Sequence, residues 1–278
     1  MQICSLYSGS GGNAVFLRLG GVSLLVDAGK SARALCRSLS LIGVGISDIH
    51  AIFLTHEHRD HVAALENLLK KQDIPVHIPA PCAEHLPETA NDFVSRNLVL
   101  HPIPYTTEIE GLTVTSFPTP HDSAASVGFR FSFRENGKVR NVGYATDIGY
   151  LSDTICNGLA GCEAVVLESN HDIAILKDGP YPYALKQRIL SRRGHLSNTD
   201  CASLAVRLSE TGTRYILLAH LSEINNTPDI AYDEVFGAVA GSGTEVAIAD
   251  PREPVWLLRE EDLPANDNNP SERMRMSC

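Results

Sequence analysis

The chain has 278 residues, 44% of them hydrophobic and 20% charged, a profile that fits a soluble globular protein with room for a large core. Lys plus Arg is 23 against 33 for Asp plus Glu, and the net charge of −10 excludes bulk coating of nucleic acid or anionic membrane. Eleven His accompany a single Trp, an excess that asks for a role.

In chain order, Val15 to Leu19 and Val22 to Asp27 are apolar runs joined at Gly20-Gly21, the pattern of a hairpin. Ser31 to Ile42 carries Leu35, Leu39 and Ile42 at helical spacing. Ala51 to Leu54 is a short strand that runs into Thr55-His56, and Val62 to Lys71 reads as a helix with Leu65, Leu68 and Leu69 on one face. Leu112 to Phe117, Val127 to Phe133 and Val139 to Tyr144 form a strand-rich middle, with Glu135-Asn136-Gly137 turning between the last two. Ala164 to Leu167 reads as a buried strand. Thr199 to Glu210 reads as a helix capped by Thr199 or Asn198. Tyr215 to Ala219 and Val246 to Ala249 are further short strands.

Residues 1–263 are expected to form one α/β domain, because no Pro/Gly/Ser-rich linker divides them. Residues 264–278, rich in Asn, Pro, Ser and Arg, read as a disordered tail. No segment has about 18 consecutive apolar residues, and the start lacks the features of a signal peptide, so no membrane association is expected. The seven Cys (Cys4, Cys36, Cys82, Cys156, Cys162, Cys201 and Cys278) make no C-x-x-C pair. They read as isolated thiols of a cytoplasmic protein.

The densest chemistry lies in Thr55-His56-Glu57-His58-Arg59-Asp60-His61. Imidazole and carboxylate together suit zinc, manganese or iron. One tetrahedral ion needs only about four ligands, so further donors at distant positions suggest two ions. His121, Asp147 and His220 are those donors, each just past the C-terminal end of a predicted strand.

T-H-x-H-x-D-H with the later His, Asp and His resembles the metallo-β-lactamase superfamily of binuclear hydrolases. The resemblance implies an αββα sandwich with two divalent metal ions (Zn, Mn or Fe) at one edge of the sheets. It implies that His56, His58 and His121 hold one ion, Asp60, His61 and His220 the other, and that Asp147 bridges both. Ala64 departs from the Gly that many members carry.

Full His/Asp ligation is similar to the nuclease and thiolester-hydrolase branches, and three segments point toward phosphodiesters. Ser8-Gly9-Ser10-Gly11-Gly12-Asn13 offers backbone N–H groups, with Ser8, Ser10 and Asn13 as side-chain donors. Gly194-His195-Leu196-Ser197-Asn198 opens a predicted helix, and Glu168-Ser169-Asn170-His171 closes a strand. A Glu beside a His can hold it as a general acid, so Glu168 and His195 are a candidate pair. Asn170, Ser197 and Asn198 are candidate substrate contacts. Lys186, Arg188, Arg192 and Arg193 precede His195 and read as either a solvated helix face or a phosphate clamp. Tyr181 and Tyr183 could stack a base.

These segments, with His220-Leu221-Ser222-Glu223-Ile224-Asn225-Asn226, resemble the small YycJ (WalJ)-like subgroup, which is associated with 5′-to-3′ exonuclease activity on DNA. With 25 residues between His121 and Asp147 and 47 between Asp147 and His195, there is no room for a long substrate arm or an inserted domain. The expectation is hydrolysis by a metal-bridging hydroxide, with Asp60 among the catalytic residues and His195, supported by Glu168, protonating the leaving group. The nucleic acid is expected to be DNA rather than RNA. A thiolester or lactone hydrolase, similar to glyoxalase II, is the alternative. The sequence leaves oligomeric state open.

Overall fold

A computed structural model describes residues 1–86 and 91–259 of the chain. The tail expected at 264–278 lies outside the described residues. Among these residues the strands form two seven-stranded sheets. The first contains β1 (Gln2–Tyr7), β2 (Ala14–Leu19), β3 (Val22–Val26), β4 (Ala51–Phe53), β5 (Val76–Pro79), β6 (Leu98–His101) and β14 (Val255–Leu258), in the order β14-β1-β2-β3-β4-β5-β6. The second contains β7 (Thr106–Ile109), β8 (Leu112–Pro118), β9 (Val127–Glu135), β10 (Lys138–Ala145), β11 (Ala164–Glu168), β12 (Tyr215–Ala219) and β13 (Glu245–Ile248), in the order β13-β12-β11-β10-β9-β8-β7.

The strands are apolar on both sides because both faces of each sheet are covered. In β2, Val15, Leu17 and Leu19 join the layer between the sheets with Phe129, Phe131 and Val166, while Phe16 turns to the outer layer. There Phe16 meets Leu35 and Leu39 of α1 (Ala32–Leu41) and residues of α3 (Leu65–Leu69). The outer face of the second sheet is covered by α6 (Asp153–Leu159), α9 (Asn198–Glu210) and α10 (Pro228–Ala238), through Leu159, Leu204, Leu208 and Val235. Helix, sheet, sheet and helix are therefore stacked in that order, the αββα sandwich.

Several elements differ from the sequence expectation. The helix expected over Val62 to Lys71 is two short helices, α2 (Arg59–Val62) and α3. The carbonyl of Asp60 accepts from the Asn13 N–H at 2.8 Å and that of His61 from the Ala28 N–H at 2.7 Å. The Ala64 N–H in turn donates to the Ala28 carbonyl at 2.9 Å, so the i→i−4 ladder is broken and the segment is tied to the ends of β2 and β3. Helix α9 is capped by Ser197, whose hydroxyl accepts from the Asp200 N–H, not by Thr199 or Asn198. The sequence reading missed β1, β5, β6, β7 and β14.

Candidate metal centre

The site lies where β4, β10, β11 and β12 end. β10, β11 and β12 run parallel, as do β3, β4 and β5, so their C-terminal ends gather on one rim. The loop after β4 brings His56 and His58, and the short helix α2 that follows brings Asp60 and His61. The loops after β8, β10 and β12 bring His121, Asp147 and His220. Asp27, Asp147 and His220 have φ of 62°, 59° and 58°, the left-handed region. Each lies within two residues of a strand end and turns the chain sharply there.

Donor atoms of His56, His58 and His121 converge in one group, and those of Asp60, His61 and His220 in a second. Asp147 lies between them, with Oδ1 3.7 Å from His121 Nε2 and Oδ2 3.6 Å from His61 Nε2. All seven predicted ligand positions are thus brought together. His56 and His61 are fully buried, and His121, Asp147 and His220 nearly so.

Buried carboxylates brace the rings from behind. Asp27 Oδ2 accepts from His61 Nδ1 at 2.8 Å, and Asp27 Oδ1 accepts from the Thr55 N–H at 2.9 Å. Glu168 Oε1 accepts from Nδ1 of both His220, at 2.8 Å, and His195, at 2.9 Å. Its Oε2 accepts from the Ile148 and Leu196 N–H groups at 2.7 and 3.0 Å. His121 Nδ1 donates to the Gly194 carbonyl at 3.1 Å. Each bond commits Nδ1 and turns Nε2 toward the ligand groups, the arrangement that orients metal-ligating imidazoles, although the His61 Nε2 also lies 3.1 Å from the Asn13 amide nitrogen. Two glycines permit this packing. A Cβ on Gly29 would lie 1.6 Å from the Asp60 carbonyl oxygen, and one on Gly194 would lie 2.0 Å from that of Ile189.

The electrostatics ask for a cation. Burial opposes charge on His61, but Asp27 and Asp147 outweigh it and hold the ring well above the usual histidine range. At His220 burial is likewise outweighed by Asp147, Asp60 and Glu168. Burial and the neighbouring His61 push His56 well below that range, and burial pushes His121 down. Asp147, despite its burial, is held well below the carboxylate range by His220 and His61. Glu168 is lowered to about 2, the pairing with His195 overcoming its burial. His220 Nε2 and Asp147 Oδ2 are buried with no protein partner. Imidazole and carboxylate donors, orphaned atoms among them and a demand for positive charge fit divalent metal.

A cavity of about 260 Å³ opens over these groups. Ser10, Asn170, Tyr181, Arg188 and His195 are among its lining residues. Other expected substrate contacts are spent on internal bonds. Ser8 Oγ accepts from the His220 N–H at 2.6 Å. Asn13 accepts from the Gly9 N–H at 2.8 Å and donates toward Asp60. The Gly12 N–H donates to the Gly9 carbonyl and the Asn13 N–H to that of Asp60, so several donors of the glycine-rich loop are engaged within the protein. Ser197 caps α9, and Asn198 bonds Ser169 and Asn226 in the interior. Arg192 stacks on Tyr150, 4.0 Å from its centroid. Arg193 donates to the His121 and Ser123 carbonyls, bracing that loop. Lys186 donates to the Lys177 carbonyl, and Tyr183 is exposed on α8 (Tyr183–Ile189). Asp27 and Asp122 are site residues the sequence reading missed. An Asp directly after an apolar strand was the available signal for Asp27.

Residues 23–221 match the beta-lactamase superfamily domain, and the chain belongs to that superfamily. It is 32% identical over 258 residues to the exodeoxyribonuclease YycJ of Bacillus anthracis, covering 91% of this chain and 96% of that protein. Among solved structures it resembles the metallo-beta-lactamase fold protein YhfI of Bacillus subtilis, with a TM-score of 0.68, 17% identity, and 91% and 98% of the two chains covered. It is also similar to Zn(2+)-bound PqqB of Methylobacterium extorquens, with a TM-score of 0.67, 18% identity, and 92% and 99% covered. These likenesses show the fold that the sequence motifs implied.

Proposed function

We infer that the chain is a metal-dependent phosphodiesterase, a 5′-to-3′ exonuclease acting on DNA. One observation carries the reading: His195 faces the cavity beside the ligand groups with its Nδ1 committed to Glu168. The relative named an exodeoxyribonuclease supports the substrate class. His56, His58 and His121 would hold one divalent ion, Asp60, His61 and His220 a second, and Asp147 would reach both. Such ions supply an activated water as nucleophile and neutralise charge on the phosphoryl oxygens.

The chain's own residues do the rest. Glu168 holds the proton on His195 Nδ1, so the proton the doubly protonated ring can pass to the leaving oxygen is the one on Nε2. The same carboxylate orients His220, so the acid and one ligand keep a constant relation. Asp60 contributes through its place in the second group. A thiolester reading has no need of His195, because a thiolate leaves without a proton.

The test is digestion of end-labelled single- and double-stranded DNA and RNA, with Mn or Zn supplied. Progressive release of mononucleotides from the 5′ end of DNA is the expected result, and no cleavage in any arm overturns the proposal. His195→Ala should keep its metal and lose about 10²–10⁴-fold in turnover. Cleavage at the wild-type rate by that variant removes the role given to His195.

A further inference from the structure

Of the four cations in the run before His195, Arg188 alone lines the cavity. Its Nε donates to Asp122 Oδ2, a carboxylate that also lines the cavity. The other oxygen, Asp122 Oδ1, lies 3.2 Å from His121 Nε2 and accepts no hydrogen bond. The guanidinium is 58% exposed and Asp122 26%, so the pair is open to exchange with an incoming anion. Tyr181, half-buried, lines the same cavity, as do Leu185 and Ile189 of α8.

We propose that Arg188, Asp122 and Tyr181 form a subsite for a terminal nucleotide, in which a phosphate monoester displaces Asp122 from Arg188 and the base stacks on Tyr181. The proposal rests on the phosphodiesterase reading and names the end group that the site selects. The discrimination is electrostatic. An internal phosphodiester carries a single negative charge, no more than the carboxylate already on Arg188. A terminal monoester carries about −1.5 to −2 at neutral pH and offers three acceptor oxygens. Arg188 can then form a two-pronged, charge-assisted pair that a diester competes for poorly. Asp122 thus screens the subsite against mid-strand phosphates. The cavity volume suits one unit of a strand, and a tyrosine ring in its lining can stack any base.

The test is calorimetric titration of the metal-loaded His195→Ala protein, which turns over too slowly to consume the diester, with thymidine 5′-monophosphate, thymidine 3′-monophosphate and thymidylyl-thymidine, whose one phosphate is a diester; each further substitution is made in that background. Arg188→Gln should weaken one monophosphate about tenfold or more and change the diester less than about twofold. The arm that responds identifies the end that is read. Asp122→Asn should narrow the ratio between monophosphate and diester. Tyr181→Leu should weaken all three about fivefold or more. Equal effects of Arg188→Gln on monoester and diester, or an unchanged ratio in Asp122→Asn, overturn the subsite. In parallel, wild-type hydrolysis of oligonucleotides with phosphate or hydroxyl ends should show the preference in KM rather than kcat. A chain that cleaves no oligonucleotide fails as an exonuclease, while the titrations still decide the subsite.

Discussion

Glu168→Gln is the sharpest perturbation the structure offers. Four donors converge on this carboxylate: two ring nitrogens at Oε1 and two backbone N–H groups at Oε2. An amide has one acceptor oxygen and one donor NH2, so with its oxygen kept on the two backbone N–H groups its NH2 faces the two ring nitrogens, and each ring must move its proton to Nε2 or lose its partner. A buried donor left unsatisfied there costs about 1–3 kcal/mol. The pairing with His195, overcoming burial, holds Glu168 below its ordinary 4.5, at about 2, so folding favours the charged form. Its sign is that of a lowered acid: the contribution is complete above about pH 4.5 and is lost as pH falls toward about 2. Urea unfolding at pH 7 should therefore show a midpoint lower by about 1–2 M. The same variant frees the His195 ring, and turnover on DNA should fall about 10²-fold or more. A midpoint unchanged within error, with turnover within twofold of wild type, would refute the bracing role.

Three further outcomes follow from the packing. Asp27→Asn removes the charge behind His61 and should lower metal affinity about 10- to 100-fold, read by competition with a chromogenic chelator; unaltered affinity would contradict the brace. Burial, and then the neighbouring His101, lower His77 to about 4, so the unfolded chain binds the extra proton below about pH 6.5. Stability should fall by about 2–3 kcal/mol between pH 7 and pH 4.5, and His77→Leu should flatten that slope in urea titrations. Phe129, fully buried between the sheets against Phe53 and Phe131, should cost about 3–5 kcal/mol on replacement by Ala, measured by the shift in unfolding free energy.

The seven proposed ligand positions were legible because strand ends and chemistry coincide: each falls in the loop or first short helix just past a strand whose apolar run is plain. Strand β10 and its turn were legible for the same reason, since Asn136 and Gly137 take the positive φ that such a tight turn demands. Elements at the margins were not. β6 and β7 are edge strands, half-buried or exposed; β6 has only the three-residue apolar run Leu98-Val99-Leu100, and β7 has none. The break between α2 and α3 was invisible because its cause is a set of bonds to residues 13 and 28, far away in sequence. The same holds for Arg192 and Arg193, whose charges suggested phosphate while their partners are a tyrosine ring and two carbonyls. Part of the histidine excess outside the site is architectural: His77 and His101 bond each other and stack with Phe53 and Tyr105 in the first sheet.

The left-handed turns at Asp27, Asp147 and His220 limit how such a centre can be rebuilt. Outside glycine, that backbone region is populated chiefly by Asn, Asp and His. At these positions the chain's geometry therefore restricts the donor atoms to short carboxylates, amides and imidazoles before any ion is considered. His58, with φ of −61°, carries no such restriction, and His56, Asp60, His61 and His121 are also free of it. An engineer seeking a softer, thiolate-containing centre, or evolution drifting toward one, has open ground at those five positions and a backbone barrier at Asp147, at His220 and at Asp27 behind them.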